Sequence, residues 1–262
     1  MNKMLLSILL LLMAGLSVPL LAQEKLVLSC EDKEEFPNFL GNSTDIDWKN
    51  PGIVPEMLKM VEKKVGVKFD FRRTAWKRAL EVDLKDNITQ GLFTASYKKE
   101  REEFGAYPMK DGKADVSKSF YTTTYVFYKA KNSAATWDGK ELKNLKGNIG
   151  FPRGYSIGAD LKDKGYGVEE SDYALNDLKK IAAGRIEICA ELEMQADNIL
   201  ENNPDLAAKI EKVALPIVNK PYYLMLSKQF ISKNPALADK IWTAIGEVRE
   251  SDYKKLLLKY MK

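Results

Sequence analysis

The alternation of apolar and polar positions predicts strands and helices that follow one another through the first part of the chain. Residues 53–65 carry apolar side chains at helical spacing, and residues 67–71 alternate as a half-buried strand does. Residues 76–84 again space apolar side chains by four, whereas residues 91–96 form a short run of small and apolar residues that indicates a buried strand. Together with a first strand over 25–30, this order predicts a sheet wrapped by helices.

The pattern changes after residue 108. A polar loop over 110–118 precedes a run over 120–128 that is rich in aromatic and β-branched residues and long enough to cross from one lobe to another. A second alternating series follows, with predicted helices at 142–146, 157–164, 174–183, 193–201 and 205–213 and strands at 148–151 and 186–190. The chain ends with a predicted second crossing strand at 214–218, a return strand at 221–227 and helices at 235–248 and 252–260.

Two crossing segments imply two lobes. We therefore predict an α/β fold in which two β-sheets, flanked by helices, are joined by two crossing strands. Residues 23–122 and 219–262 are assigned to the first lobe, and residues 123–218 are assigned to the second. A cleft between two such lobes is a common place for a small ligand to bind.

The amino terminus has the pattern of a secretory signal peptide. Lys3 precedes an apolar stretch over residues 4–21, and small residues lead to a predicted cleavage after Ala22. A membrane anchor is the alternative, but Pro19 and the polar residues 23–25 favour cleavage. The sequence therefore predicts an exported, periplasmic protein.

The amino-acid composition excludes several kinds of binding and catalytic site. The 41 Lys and Arg and 37 Asp and Glu residues give a formal charge of +4 and are interspersed, which argues against nucleic-acid binding. The chain has no histidine, which excludes imidazole-based triads and most zinc sites. Cys30 and Cys189 are its two cysteines, and in an exported protein they can form a disulfide or remain buried thiols.

Residues 91–101 suggest an anion-binding site. Thr94 and Ser96 are two positions apart, so an extended backbone points both hydroxyls to one side. Arg101 follows Ser96 by five residues, which is about one and a half helical turns. A strand end, the free amides of a helix start and an arginine can hold a carboxylate in a fork of donors. The alternative is a helix-capping serine and a solvated arginine among other charges.

Five motifs, taken in order, resemble those of the extracellular solute-binding proteins of family 3, the amino-acid-type periplasmic receptors of ABC importers. The resemblance covers nearly the whole chain after the signal peptide. The motifs are residues 75–80, residues 94–96 with Arg101 and 107–108, residues 149–156, residues 183–187 and residues 220–224.

The resemblance implies roles for individual residues. Ser96 and Arg101 match the hydroxyl and the arginine that grip the ligand's α-carboxylate, and Thr94 matches the neighbouring polar position. In the turn that starts the helix at 157, Tyr155 or Ser156, with Arg153 beside them, match the residue that closes on the same carboxylate. Phe39 and Trp76 are candidate stacking residues for the ligand, although the spacing of Trp76 also fits a core stripe.

The sequence departs from the family at the acid that pairs with the ligand's ammonium group. That position is Leu192 here, with Glu191 and Glu193 on either side. Either glutamate can reach the cleft from a strand end, or it can lie on an exposed helix start where acids are favourable.

The expected function is therefore a receptor, not an enzyme, with no cofactor and no metal. It captures a small carboxylate-bearing solute and presents it, as a monomer, to the membrane permease of an ABC importer. Two alternatives stay open. One is an exported enzyme resembling cyclohexadienyl dehydratases, which would use Glu191 or Glu193 as acid and base. The other is a ligand-sensing partner of a membrane receptor.

Overall fold

The computed structural model describes residues 25–261, so the predicted signal peptide lies outside the described residues. The strands are β1 (Lys25–Glu31), β2 (Lys68–Thr74), β3 (Gly91–Ser96), β4 (Met109–Lys110), β5 (Lys113–Ala114), β6 (Tyr121–Ala130), β7 (Thr136–Trp137), β8 (Leu142–Lys143), β9 (Ile149–Pro152), β10 (Val168–Ser171), β11 (Ile188–Leu192), β12 (Ile210–Lys212) and β13 (Val218–Leu226). The helices are α1 (Ile53–Val65), α2 (Trp76–Arg78), α3 (Ser156–Asp163), α4 (Ala174–Ala182), α5 (Glu193–Glu201), α6 (Pro204–Ala207), α7 (Lys228–Lys233) and α8 (Pro235–Tyr260). Helix α2 continues as a π-helix over Ala79–Leu84, and 3₁₀ turns cover Lys99–Glu103 and Val116–Lys118.

The predicted α/β class is confirmed, but the sheet is continuous. Its strand order is β10-β9-β11-β6-β13-β3-β1-β2, with β12 also paired to β6. The crossing strands β6 and β13 pair antiparallel with each other from Tyr121↔Tyr222 to Tyr125↔Val218, and this pairing joins the two predicted sheets into one. The predicted lobe boundaries at 122/123 and 218/219 fall inside this paired segment and stay predictions.

We call β1–β5, α1, α2, α7, α8 and the end of β13 the first lobe, and β7–β12, α3–α6 and the end of β6 the second lobe. In the first lobe β1 runs parallel to β2 and β3, and in the second β9 runs parallel to β10 and β11. The carboxyl ends of parallel strands meet at one edge of a sheet, which is where open α/β sheets place their ligands.

Helix α1 forms as its apolar spacing predicts. The side chains of Ile53, Val54, Met57, Leu58, Val61 and Val65 are all buried. Gly52 precedes the helix at φ +92°, and a β-carbon there would lie 2.6 Å from the Cα of Phe39. Glycine is therefore required where the loop after β1 crosses the start of α1, and this crossing fixes the position of Phe39.

Several predicted elements are different in the structure. Residues 142–146 contain strand β8 instead of a helix, since Leu142 pairs with Trp137. The helix expected over 205–213 ends at Ala207, because Ile210 and its neighbours join the sheet beside β6. The hairpin β4–β5 replaces a plain loop, with Asp111 and Gly112 at the positive φ values of its two-residue turn. The two carboxyl-terminal helices are one helix, α8, which packs along α1.

Cys30 and Cys189 are both free and buried, one in each lobe. Within the described residues, no helix has the length and apolar character needed to cross a membrane.

Candidate ligand-binding site

A cavity lies between the lobes at the carboxyl ends of their parallel strands. Its free volume is about 10 Å³, which is room for about one water molecule. The structure therefore shows the two lobes closed tightly on one another at this point. The lining residues are Glu31, Glu35, Phe39, Trp76, Thr94, Ser96, Arg101, Tyr125, Tyr155, Ser156 and Tyr222.

Arg101 lies in the wall of this cavity and only 7% of it is exposed. Its Nη1 donates to the Ser96 carbonyl at 2.9 Å, and its Nη2 donates across the cleft to the Gly154 carbonyl at 3.0 Å. The guanidinium also lies 5.3 Å from the centre of the Trp76 ring. Nη1 also lies 3.3 Å from Ser96 Oγ, and the guanidinium forms a side-chain hydrogen bond with the Tyr107 hydroxyl. At least one of the five N–H donors of Arg101 therefore remains for a carboxylate.

Ser96 and Ser156 meet across the cleft. Their Oγ atoms are 2.7 Å apart, and Lys220, on crossing strand β13, donates to Ser156 Oγ at 2.8 Å. Lys220 also pairs with Asp160 of α3, which Lys98 of the first lobe contacts at 3.0 Å. Burial lowers the pKa of Lys220, although Asp160 opposes that shift. A second cation thus lies beside the two hydroxyls.

Thr94 has a strained backbone. It sits in β3 at φ +65°, next to an irregularity in the pairing of β3 with β13. A positive φ is rare for a β-branched residue and costs roughly 1–3 kcal/mol. Its own hydroxyl donates to the Phe93 carbonyl at 2.7 Å. The fold maintains this strain in the wall of the cavity, where such outliers tend to serve function.

A glycine allows the lobes to approach. Gly154, at φ +74°, accepts a hydrogen bond of 3.2 Å from Trp76 Nε1, and a β-carbon on it would lie 3.0 Å from that ring. The Trp76 and Tyr155 rings meet edge to face with centroids 6.2 Å apart. Trp76 thus belongs both to the cavity wall and to the core, as its two sequence interpretations allowed.

The sequence reasoning missed two acids in the cavity, Glu31 and Glu35. Glu31 ends β1 and accepts a hydrogen bond of 2.6 Å from Tyr155 of the second lobe. Glu35 accepts from Tyr121 at 2.5 Å and from Asn38 at 3.0 Å. Burial raises the pKa of Glu31 to about 8 and that of Glu35 to about 7. The position of Glu31 at the carboxyl end of the first strand was a usable signal.

The crossing strands supply tyrosines that the sequence reasoning had not assigned to the site. Tyr125 of β6 and Tyr222 of β13 share a hydrogen bond of 2.7 Å between their hydroxyls. Both line the cavity, at the segment where the two strands pair. In the sequence, the aromatic runs of these two segments indicate only a strand.

Seven of the nine predicted site residues line the cavity: Phe39, Trp76, Thr94, Ser96, Arg101, Tyr155 and Ser156. Arg153 is half-exposed and instead contacts Glu170 at 3.5 Å and Asp172 at 3.2 Å, outside the cavity. Whether any of these residues binds a ligand stays a prediction.

Glu191 is placed away from the cleft and leaves the candidate set. It lies in β11, where Ile188, Ala190 and Leu192 belong to the main core and Cys189 to a separate cluster under α4. Strand alternation turns Glu191 to the side of Cys189, towards Asp177. Burial raises the pKa of Glu191 well above its ordinary value, and the neighbouring Asp177 adds to the rise. Glu193 starts α5 and pairs with Lys212 at 3.0 Å.

No protein-family model and no curated protein matches the sequence. Solved structures do match the fold. A histidine kinase sensor domain with similarity to periplasmic binding proteins superposes with a TM-score of 0.71 at 16% identity, covering 91% of this chain and 97% of that one. The chain has the two-lobed fold of periplasmic binding proteins.

Two further structures of this fold are periplasmic or transport proteins. A Salmonella typhimurium periplasmic binding protein described for its high arginine specificity gives a TM-score of 0.67 at 16% identity, with 91% and 100% of the two chains covered. The substrate-binding protein of an amino acid ABC transporter gives 0.66 at 16% identity, with 90% and 98% covered. At such identities the likeness establishes the fold, and the ligand must be argued from the cleft.

Proposed function

We propose that this chain is an exported solute-binding receptor that captures a small carboxylate-bearing solute between its two lobes. The observation that carries the proposal is Arg101, a buried cation in the wall of the interlobe cavity with a donor to spare. Hydroxyls from both lobes, Ser96 and Ser156, meet beside it. A bidentate guanidinium with neighbouring hydroxyls gives strong and directional recognition of a carboxylate.

Closure of the lobes completes the site. Arg101 and Trp76 of the first lobe bond to Gly154 of the second, so the binding surface is assembled only when the lobes meet. A solute that contacts both lobes favours the closed state, and the paired strands β6 and β13 act as the hinge.

Delivery to the permease of an ABC importer is the transport role we assign to the closed form. A substrate-binding protein of an amino acid ABC transporter shares the fold. A sensing role is the second candidate, since a histidine kinase sensor domain shares the fold as well. Whether a permease or a kinase is encoded beside this chain distinguishes the two.

The test is thermal unfolding of the chain without its first 22 residues, with amino acids and dicarboxylates added one at a time. A ligand at about 100 times its dissociation constant should stabilise the protein by about 2.7 kcal/mol. Arg101→Ala should remove this stabilisation while the variant stays folded, and Arg185→Ala, an exposed arginine of the second lobe, serves as the control. No shift with any carboxylate, or an equal shift in Arg101→Ala, contradicts the proposal.

An enzyme is a further candidate because Glu31 and Glu35 are buried acids in the cavity, with pKa values raised into the range of a general acid or base. Incubation with prephenate or arogenate, followed by ultraviolet absorbance, tests it. Turnover that is lost in Glu31→Gln or Glu35→Gln would favour the enzyme over the receptor.

A further inference from the structure

A pair of buried carboxyl groups lies inside the second lobe, away from the cleft. Asp177 of α4 is fully buried, and Glu191 of β11 is 1% exposed. The two groups share a hydrogen bond, and burial and the charge of Asp177 raise the pKa of Glu191, so Glu191 keeps the proton and donates it to Asp177. Asp177 also accepts from Ser171 Oγ at 2.6 Å. One shared proton therefore connects α4 to the strands β10 and β11.

No cation compensates a second negative charge at this position. Within residues 25–261, neither carboxyl group forms an ion pair, and Lys180 of α4 pairs instead with Glu169 of β10 at 2.5 Å. Apart from the shared proton, neither Glu191 Oε1 nor Asp177 Oδ2 has a hydrogen-bond partner among the described residues. A buried charge without a partner is costly, so loss of the proton would destabilise this arrangement.

The other titratable groups beside the pair do not supply a charge of the opposite sign. Burial raises the pKa of Cys189 of β11 and of Tyr128 of β6, so both groups stay neutral. On α5, which packs against α4, Asp197 accepts from Tyr128 and pairs with Lys212. The shared proton is thus the means by which this site avoids two adjacent buried charges.

The pair is connected to the cleft through Ser171. The carbonyl of Ser171 accepts from the amide of Arg153 at 2.8 Å, directly before Gly154. The carbonyl of Gly154 is the acceptor for the hydrogen bonds that Arg101 and Trp76 donate from the first lobe. The position of Ser171 therefore influences the turn over 152–155, where the second lobe meets the first.

A second connection runs through β9, the strand that leads into the same turn. A β-carbon on Gly150 would lie 2.4 Å from Asp177 Oδ1, so the carboxyl group fills the space beside this strand. Strand β9 ends at Pro152, two residues before Gly154. A shift of Asp177 would therefore move the base of the turn as well as Ser171.

We propose that Asp177 and Glu191 are positioning residues that form a proton-operated switch for closure of the lobes. While they share the proton, α4 holds the turn over 152–155 against Arg101 and Trp76. When the proton is lost to water, the two charges repel, α4 moves away from the sheet, and the turn withdraws from the first lobe. The switch acts whichever solute the cleft takes, so its failure would leave the receptor proposal intact.

The test follows the separation of the lobes with spin labels, without any ligand. The labels are attached at Lys63→Cys in α1 and Lys162→Cys in α3, two exposed positions, whereas Cys30 and Cys189 are buried and stay unlabelled. Distances are measured by double electron–electron resonance between pH 5 and pH 9.5. A difference of one pKa unit between the open and closed arrangements changes their ratio about tenfold, so the open-to-closed ratio of the wild type should rise about tenfold or more.

Variants separate a switch from a merely structural contact. The amide of Glu191→Gln donates to Asp177 at every pH, so its open-to-closed ratio should not rise with pH as that of the wild type does. Asp177→Asn also removes the second charge and should lose the rise as well, so one variant suffices if the other does not fold. Glu201→Gln, an exposed acid at the end of α5, is the control and should open as the wild type does. Glu31 and Glu35 titrate in all of these proteins and cancel in the comparison.

Infrared difference spectroscopy detects the proton directly. The carboxylic acid band of Glu191, identified by its absence in Glu191→Gln, should disappear from the wild type over the same pH interval in which the lobes open. The proposal is overturned if the lobes open identically in the wild type and the two pair variants, or if the band persists to pH 9.5. A wild type whose lobe separation is the same at every pH would rule it out as well.

Discussion

Replacing Glu31 with glutamine should change how the stability of the protein depends on pH. Burial is the main cause of the raised pKa of Glu31, the neighbouring acids Glu35 and Asp32 add to it, and the hydrogen bond from Tyr155 and the charge of Lys33 oppose it. In the unfolded chain the same group has its ordinary pKa of 4.5. Between these two values the folded protein holds a proton that the unfolded chain has released.

The direction in which stability changes with pH follows from this difference in pKa. A raised carboxyl pKa stabilises the fold most at low pH, and the benefit is lost as the pH rises from 4.5 to about 8. A tenfold change in proton affinity is worth about 1.4 kcal/mol, so the difference of about 3.5 pKa units amounts to about 5 kcal/mol for Glu31 alone. Glu35, raised to about 7, contributes about 3 kcal/mol in the same direction.

The assay is urea unfolding between pH 4.5 and pH 8.5, in the absence of ligand, for the wild type, Glu31→Gln and the control Glu34→Gln, which lies in the same loop but outside the cavity. The free energy of unfolding of Glu31→Gln should decline less steeply with pH, and the gap between the two slopes should accumulate to about 5 kcal/mol by pH 8.5. Asp177, with a pKa raised to about 6, titrates equally in all three proteins and cancels. If wild type and Glu31→Gln decline in parallel, Glu31 is not buried as the structure has it.

Three other substitutions test the cleft. Arg101→Lys should weaken carboxylate binding at least tenfold by calorimetry, because an ammonium cannot form the guanidinium fork; equal affinity would contradict the assigned role. Gly154→Ala should cost about 1 kcal/mol or more in urea unfolding and open the lobes in X-ray scattering, since its β-carbon meets Trp76 at 3.0 Å. Gly165 also has a positive φ, but a β-carbon there would meet no atom within 4 Å, so Gly165→Ala measures the backbone strain alone. If Gly154→Ala and Gly165→Ala lower the stability equally, the contact with Trp76 has no effect. Thr94→Gly should leave the free energy of unfolding unchanged or raise it by about 1 kcal/mol in the same assay, because it relieves the backbone strain. The control Thr123→Gly, in β6, should lower the free energy of unfolding by about 1 kcal/mol. Equal losses in the two variants would show that Thr94 is not strained.

Much of the fold was predictable because local patterns and tertiary packing agree. The stripe of α1 and the run of β3 are buried throughout, as their spacing indicates. Predictions failed where pairing with a strand distant in sequence determines the secondary structure. Residues 210–212 read as helix but become β12, since an edge of β6 is available to them. Short polar segments carry too weak a periodic signal to reveal such pairing.

The lining of the cavity was predictable on both sides of the cleft where its residues are close together in the sequence. Thr94, Ser96 and Arg101 are close in sequence, so their convergence can be read from one strand and one turn. Glu35 meets Tyr121 across 86 positions, and no spacing rule links the two. Glu191 lies neither in the cleft nor on an exposed helix start, the two positions that the sequence allows for it. It lies at a strand end near the expected acid, but a one-residue offset turns a strand side chain to the other face.

The protonation of Glu31 affects the contact between the two lobes. Its Oε2 accepts from Tyr155 of the second lobe, so the carboxyl belongs to a bond that spans the cleft. At neutral pH its raised pKa leaves it largely protonated, and the bond is then one between neutral groups. As the pH rises through about 8 the group becomes a carboxylate, and hydrogen bonds to a charged acceptor are roughly twice as strong as neutral ones. The contact that Tyr155 makes across the cleft should therefore strengthen with rising pH, while burial makes the same charge costly for the fold. The charge of Glu31 thus acts in opposite directions on the contact between the lobes and on the free energy of unfolding.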